Sequence, residues 1–117
     1  MTCREQTRSL KRPLLIIITY CAIGQFAFIA LASEHHKVIQ KGRAFSVAQI
    51  DIAAGDTVVF SNEDEFIHQI YVKSDTMTFD SDEQPPGEDV LLTFPTAGTF
   101  EVHCHIHPKM ALIVHVK

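Results

Sequence analysis

Hydrophobic and polar residues alternate in short runs along the last two thirds of the chain, and turn-forming residues separate the runs. Ile50 and Ile52 alternate with polar neighbours, the sequence Ala-Ala-Gly-Asp at 53–56 favours a turn, and residues 57–60 are β-branched or aromatic. Comparable runs follow at residues 66–72, 90–94, 99–103 and 111–116, with a weaker candidate at 76–79. Because no helical period accompanies these runs, we predict an all-β fold of about seven to eight short strands, a Greek-key β-sandwich.

Side chains alternate between the two faces of a strand, so sequence parity predicts which of them enter the core. Three sets fall on inward faces: His68, Ile70 and Val72; Phe100, Val102 and Cys104; and Met110, Leu112, Val114 and Val116. By the same parity His103 and His115 point outward. The imidazole of His68 is therefore expected inside the sandwich, at the start of its strand.

The first third of the chain has a different pattern. Basic residues between positions 4 and 12 precede an apolar run at 14–31, which ends in the sequence Ala-Leu-Ala at 30–32. This order is typical of a secretory signal peptide, so we predict a signal peptide over residues 1–32 and a mature domain over residues 33–117, in the periplasm or another extracytoplasmic compartment. Since the apolar run is long for a signal peptide, an uncleaved membrane anchor is the alternative.

Removal of residues 1–32 leaves a strongly acidic domain. The full sequence has 10 Lys and Arg against 14 Asp and Glu, and residues 33–117 keep six and thirteen of these, a net charge of −7 with His neutral. This charge argues against a nucleic-acid partner, because nucleic acids select basic surfaces.

Cys104 is the one cysteine of the predicted mature domain, because Cys3 and Cys21 lie in the predicted signal peptide. A single thiol in an oxidising compartment cannot form an intramolecular disulfide. The mature domain also keeps all seven His of the sequence. A lone thiol among imidazoles is better explained by a metal than by a structural role.

The segment 103–110, His-Cys-His-Ile-His-Pro-Lys-Met, concentrates metal-binding side chains in one short turn. Cys104, His107 and Met110 are three residues apart, so a tight loop can direct all three at one point. Soft sulfur with imidazole suits copper, and two His and one Cys in a trigonal plane with a weak axial Met describe a blue-copper electron-transfer site. The second His must come from elsewhere in the chain, and the inward-facing His68 is the candidate.

The other imidazoles are not expected to bind this metal. His103 points away by parity and His105 begins the turn, so both are predicted to be exposed or to lie beside the ligands. Residues 33–37 are polar and predict a loose arm. If cleavage exposes Ser33-Glu34-His35 as a new N-terminus, it could wrap a second Cu(II) in a square-planar set of nitrogens.

Four segments together resemble the cupredoxins, in particular small bacterial plastocyanin-like and amicyanin-like proteins, including those named for methylamine utilisation. These segments are residues 55–60, 68–71, 95–100 and 104–110. The resemblance extends over nearly all of residues 38–117.

The resemblance implies one copper ion per chain in a type 1 centre, with His68, Cys104 and His107 as strong ligands and Met110 as the weak axial ligand. It also implies that the edge of His107 reaches the surface as the route for electrons. Two residues separate the last His from the Met, as in amicyanin, whereas plastocyanin has four. His105 lies inside this short loop.

The predicted ligand set favours electron transfer over catalysis. It fills the coordination sphere with protein atoms, whereas a catalytic metal keeps an open position for substrate or water. We therefore expect a monomeric carrier, not an enzyme, that exchanges one electron with a redox partner such as a cytochrome c, an oxidase or a dehydrogenase. Acidic loops at 63–65 and 80–89 could steer a basic partner surface.

Two alternatives would use some of the same residues. A periplasmic copper carrier or metallochaperone would bind copper without a redox role. A structural zinc domain would use Cys104 and three His.

Overall fold

Nine β-strands form the regular secondary structure in the part of the chain that this computed structural model describes, residue 27 and residues 29–117. In chain order they are β1 (His35–Lys41), β2 (Ala44–Phe45), β3 (Gln49–Ile52), β4 (Thr57–Asn62), β5 (Ile70–Lys73), β6 (Thr78–Asp80), β7 (Asp89–Thr93), β8 (Gly98–Cys104) and β9 (Ala111–Val116). The described residues contain no helix with the length and hydrophobicity that a membrane span requires. The predicted signal peptide lies almost entirely outside these residues and stays a prediction.

The strands form two sheets with the hydrophobic core between them. One sheet has four strands in the order β2-β1-β4-β7, and the other has five in the order β3-β9-β8-β5-β6. β1 pairs with β4 and β3 pairs with β9 in parallel, while the other pairs are antiparallel. This arrangement confirms the predicted all-β sandwich. β1 and β2 are the two strands that the hydrophobic pattern does not predict.

β1 corrects the expectation of a loose arm at residues 33–37. The strand begins at His35, whose parallel partner in β4 is Thr57, and the Thr57 N–H donates to the Glu34 carbonyl at 2.9 Å. Backbone pairing with β4 holds this polar start of the strand in place, so no alternation of apolar residues reveals it in the sequence.

The pairing of β1 with β4 also affects the square-planar Cu(II) site suggested for Ser33-Glu34-His35. The Glu34 N–H donates to the Asp56 Oδ1 at 3.0 Å, and His35 already lies in β1. A square-planar set needs the backbone nitrogens of such an arm, so the folded arm does not offer that site.

The three inward-facing sets predicted by parity meet in the core, which confirms them. Every member of these sets is at most 6% exposed. Phe60 of β4 and Phe94, which follows β7, are the largest fully buried side chains of this core. His68, Cys104 and Met110 are therefore shielded from water by packed side chains.

Candidate metal centre

The structure brings the predicted ligand residues together at one end of the sandwich. Cys104 is the last residue of β8, and His107 and Met110 lie in the turn between β8 and β9. His68 precedes β5 by two residues, whereas the sequence placed it at the start of that strand. Because β5 and β8 pair with Ile70 opposite Cys104, the segment before β5 runs beside the sulfur.

Three donor atoms converge at this point. The Sγ of Cys104 lies 3.6 Å from the Nδ1 of His68 and 3.9 Å from the Nδ1 of His107. The two Nδ1 atoms are 3.1 Å apart. His68 and Cys104 are buried and His107 is half-buried, so one edge of the group is accessible from outside.

These separations fit a bound metal ion. An ion about 2.0–2.3 Å from each ligand atom, as zinc lies from His and Cys, holds the ligand atoms roughly 3.1–3.9 Å apart at angles of about 100–130°. The observed separations run from 3.1 to 3.9 Å. A thiol with two imidazoles is also a donor set that suits copper.

Met110 closes the turn behind these three residues. Its N–H donates to the His107 carbonyl at 2.9 Å, and its side chain is buried, with 2% exposed. Pro108, between the two, fixes one backbone dihedral angle. The turn therefore has little freedom to move His107 relative to the Cys104 sulfur.

A backbone contact fastens the His68 segment to the end of β8. The Gln69 N–H points at the Cys104 Sγ at 3.4 Å, and the His105 N–H donates to the Gln69 carbonyl at 3.0 Å. An N–H donor of this kind favours the thiolate form of the sulfur, because charged acceptors make the stronger hydrogen bonds.

Asp64 lies in the acidic loop 63–65, yet its carboxylate points inward. Its Oδ2 is 3.1 Å from the Nε2 of His68, and its side chain is only 8% exposed. Burial would raise the pKa of Asp64, but hydrogen bonds from the Arg43 N–H and the His68 ring outweigh burial and lower the pKa. Asp64 is therefore an internal anion at neutral pH. The sequence interpretation missed this role, although a carboxylate four residues before an inward-facing His is a readable signal.

His68 is held in its neutral form. Burial lowers the pKa of His68, and the neighbouring His107 also lowers it, against the opposing effect of Asp64. A neutral imidazole is the form that binds a metal.

The loop between β6 and β7 supports His68 from a second direction. The backbones of Gln84 and His68 exchange two hydrogen bonds, at 2.8 and 3.1 Å, and Gln84 is buried. The side-chain amide of Asn62 donates to the carbonyls of Phe66 and Gln84 at 2.8 and 2.9 Å. The acidic residues of this loop are all exposed, but Gln84 fixes the loop to His68, which the sequence did not reveal.

His103 points away from the three donor atoms, as strand parity predicts, and the His105 ring also lies outside this group. Both stack on the Tyr71 ring, with centroids 5.5 and 3.8 Å from its own, and His105 also contacts Asp80 at 3.1 Å. Within the described residues only two imidazoles converge on Cys104. The structure therefore offers no site of one Cys and three His, which the zinc alternative requires.

A second group of potential ligands is already occupied by hydrogen bonds. Glu34, His36 and Asp56 each place a donor atom within 4.8 Å of the others. The Asp56 Oδ1 accepts the Glu34 N–H at 3.0 Å, while its Oδ2 accepts the Ala53 N–H at 3.0 Å and lies 2.8 Å from the His36 Nε2. This group ties the start of β1 to the turn between β3 and β4.

Exposed apolar side chains lie beside the outer edge of His107. The Phe66 ring meets the His107 ring edge to face, with centroids 6.1 Å apart. Phe66 and Ile106 are 40% and 42% exposed. The recess beside His107 is lined by Arg43, Ile106, Pro108 and Lys109. The half-buried imidazole therefore opens onto a small, largely apolar patch with two cations in its lining.

Comparison with known proteins identifies the family. Residues 32–117 match the copper binding proteins of the plastocyanin/azurin family. The chain is 32% identical to the chloroplast plastocyanin of Fritillaria agrestis over an alignment that covers 55% of this chain and 45% of that protein. The chain thus spans less than half the length of this relative.

Solved structures share the fold. A purple cupredoxin from Nitrosopumilus maritimus superposes with a TM-score of 0.63 at 21% identity, covering 70% of this chain and 99% of the other. Amicyanin from Paracoccus versutus gives a TM-score of 0.66 at 23% identity, covering 71% and 81%. The copper-containing nitrite reductase of Thermus scotoductus SA-01 gives 0.64 at 29% identity, covering 70% of this chain and 22% of the enzyme.

The family match spans most of the chain and agrees with the donor set, which joins soft sulfur with imidazole. Copper is accordingly the metal cofactor, in place of the zinc considered from the sequence. The chain belongs to the plastocyanin/azurin family of copper binding proteins and has the cupredoxin fold.

Proposed function

We propose that this protein is an exported type 1 copper protein that carries one electron at a time between redox partners. His68, Cys104 and His107 would be its strong ligands, and Met110 would be a weaker fourth ligand. The observation that carries the proposal is the convergence of one sulfur and two imidazole nitrogens within 3.9 Å of one another at the end of a packed core. Copper bound there supplies a Cu(I)/Cu(II) couple.

The protein around the ligands supports a carrier role because it holds them still. Gln84 and Asp64 fix His68, the Gln69 N–H contacts the sulfur, and the short turn holds His107. Packed interiors resist continuous deformation. The ligands therefore change position little between oxidation states, which keeps the barrier to electron transfer low.

The ligand set also supports electron transfer over catalysis. Four protein ligands leave no position for substrate or water, whereas a catalytic metal keeps one open. His68, Cys104 and Met110 are at most 2% exposed, so solvent does not reach the centre from their side. The remaining access is the outer edge of His107.

His107 is the proposed route for electrons. Its outer edge lies at the apolar patch formed by Phe66, Ile106 and Pro108. A small patch of this kind suits a brief encounter, because weak redox complexes have interfaces at the low end of the size range. A partner docked there brings its own cofactor close to the ligand.

Acidic residues near the His107 end of the sandwich favour a partner with a basic surface. Glu63 and Glu65 are exposed, as are all five acidic residues of the loop 80–89, whereas the Asp64 carboxylate contacts His68. Such charges steer a basic surface, for example that of a cytochrome c, an oxidase or a dehydrogenase. The protein would act as a monomer in the periplasm or another extracytoplasmic compartment, as the signal-peptide prediction for residues 1–32 suggests.

The test is the visible absorption spectrum of the purified protein after addition of one equivalent of Cu(II). We expect an intense thiolate-to-copper band that bleaches with ascorbate and returns on re-oxidation. Cys104→Ser should abolish the band, because the thiolate is its source. His105→Ala is the matched control, since this imidazole adjoins Cys104 but points outward, and it should retain the band.

Absence of this intense, thiolate-dependent band would contradict the proposed function. A weak spectrum that Cys104→Ser leaves unchanged would mean that copper binds elsewhere. The copper carrier without a redox role would then be the better description.

A further inference from the structure

We propose that Asp64 is a positioning residue that fixes the His68 imidazole for copper and lowers the reduction potential of the centre. This inference rests on the proposed function, because it concerns the same ligand. Its basis is the contact between the Asp64 Oδ2 and the His68 Nε2, on the side of the ring away from the donor atoms.

The contact settles which ring nitrogen of His68 carries the proton. The Asp64 Oδ2 lies 3.1 Å from Nε2 and also accepts the Arg43 N–H at 2.8 Å, so this oxygen acts as a hydrogen-bond acceptor. Nε2 therefore carries the hydrogen, which leaves the Nδ1 lone pair free. That lone pair lies 3.6 Å from the Cys104 Sγ and 3.1 Å from the His107 Nδ1, where the metal is expected.

Asp64 is itself held in place by the backbone. Its Oδ2 also accepts the Arg43 N–H at 2.8 Å, and its own N–H donates to the Asn62 Oδ1 at 2.9 Å. The side chains of Asp64 and His68 are 8% and 0% exposed. The pair is thus buried and fixed, unlike an exposed ion pair, which contributes little.

The turn that supplies this N–H reaches the other imidazole as well. Gly42 and Arg43, between β1 and β2, have φ angles of 62° and 57°, so the turn is left-handed at both positions. The Arg43 guanidinium lies 4.0 Å from the centroid of the Phe66 ring, which in turn contacts the His107 ring. The β1–β2 turn therefore contacts His68 through Asp64 and His107 through Phe66.

A carboxylate hydrogen-bonded to a metal-binding imidazole makes that imidazole a stronger donor and fixes its orientation. Its negative charge also favours the more positive metal ion. Both effects stabilise Cu(II) more than Cu(I), so loss of the charge should raise the reduction potential. Asp64→Asn keeps an acceptor oxygen and removes only the charge, whereas Asp64→Ala removes both.

The experiment measures copper affinity and reduction potential in the wild type and both variants. Loss of such a partner lowers metal affinity by about 10–100-fold, and we expect the larger loss for Cu(II). Each tenfold excess of the Cu(II) loss over the Cu(I) loss raises the potential by about 59 mV. Asp80→Asn is the matched control, because Asp80 contacts the outward-pointing His105 at the same 3.1 Å, and it should leave the potential unchanged.

A second measurement uses the metal-free protein. Two-bond proton–nitrogen correlations of the His68 ring should show the hydrogen on Nε2 in the wild type and in Asp64→Asn, and a mixture of tautomers in Asp64→Ala. This readout responds to the hydrogen bond itself and not to a general loss of stability.

The two readouts separate the proposals. If the wild type shows the reversible band but both Asp64 variants keep its potential and tautomer, the role of Asp64 is wrong and the carrier function stands. If the wild type shows no such band, the carrier function fails, and the tautomer of the metal-free variants still decides whether Asp64 positions His68.

Discussion

Asp56 shows how one carboxylate connects three backbone segments. It accepts hydrogen bonds from the N–H groups of Glu34 and Ala53 and contacts the His36 ring. These contacts, led by the Glu34 N–H, lower the pKa of Asp56 from 3.8 to about 2. The ionised form is therefore favoured by folding.

This shift predicts how Asp56 affects acid stability. A carboxyl group with a lowered folded-state pKa contributes stability above its unfolded pKa, and the contribution is lost as the pH falls through the folded-state pKa. We expect Asp56→Asn to be less stable than the wild type at pH 7, with the difference shrinking between pH 3.8 and about 2. Denaturant unfolding over this range measures it, and Asp75→Asn, in an exposed turn, is the control. A difference that stays constant with pH would contradict the assignment.

The proposed role of Met110 depends on its sulfur atom and not on the volume that its side chain fills. Met110→Leu conserves volume, so we expect a stability cost below about 1.5 kcal/mol. Leucine offers no electron pair to the metal, and the axial ligand tunes the potential of such sites. The variant should therefore fold and bind copper with a raised reduction potential.

Voltammetry measures this shift in reduction potential. The control is Met77→Leu, at a half-buried core position away from the turn, which should show no shift. An unchanged potential in Met110→Leu would remove Met110 from the ligand set.

At the level of strands and turns, the alternation of apolar residues predicted most of the framework. The inward faces of β5, β8 and β9 were predictable because burial imposes a period of two on each strand. The Cys-x-x-His-x-x-Met spacing likewise predicted that Cys104, His107 and Met110 lie at one turn, since residues close in sequence need little help from the rest of the fold to meet.

What the sequence did not reveal depends on pairing between distant segments. The polar start of β1 is a strand because β4 lies beside it. Gln84 is buried because its backbone pairs with His68 across 16 positions. The sequence placed Asp64 in an acidic loop because it lies between Glu63 and Glu65. Those two neighbours are exposed in the structure, whereas the folded loop turns the Asp64 carboxylate inward.

Gly55 provides a prediction for the turn between β3 and β4. Its φ of 93° lies in the region that glycine tolerates and other residues do not, and its N–H donates to the Phe94 carbonyl at 2.8 Å. A Cβ there would meet no atom within 4 Å, so the cost of Gly55→Ala comes from the backbone alone. We expect a loss of roughly 1–2 kcal/mol in the free energy of unfolding. Chemical denaturation measures this loss. The control is Ala54→Ser, which should change the free energy of unfolding by less than about 0.5 kcal/mol. If the two substitutions had equal effects, backbone conformation at Gly55 would not be the cause.

For the whole molecule, the distribution of charge predicts how electron exchange responds to salt. Electrostatic steering raises association rates by about 10–1000-fold and weakens with ionic strength, because the screening length is about 10 Å at 0.1 M salt. We expect the second-order rate of electron transfer to a basic cytochrome c to fall roughly tenfold from low to high salt. Stopped-flow absorption measures the rate.

Charge-neutralising variants identify the acidic residues that cause this salt dependence. Neutralising Asp82 and Glu83 together should flatten the salt dependence, whereas Glu34→Gln, beside the turn that precedes β4, should not. A rate that is independent of salt, or that rises with it, would remove the acidic loops from partner recognition. In the second case the cations beside His107, Arg43 and Lys109, would be the groups that a partner meets.

The parallel pairing of β1 with β4 determines at which end of the sandwich the chain enters β1. The two strands start together at His35 and Thr57, and β4 ends at Asn62, whose side chain contacts the loops around His68. Five strand steps of about 3.3 Å separate these ends, roughly 17 Å. Any segment before His35 thus departs from the pole opposite His107. A lipid bilayer, a linker or a fused enzyme joined there would leave the proposed electron-exchange face oriented outward and free to meet a diffusing partner.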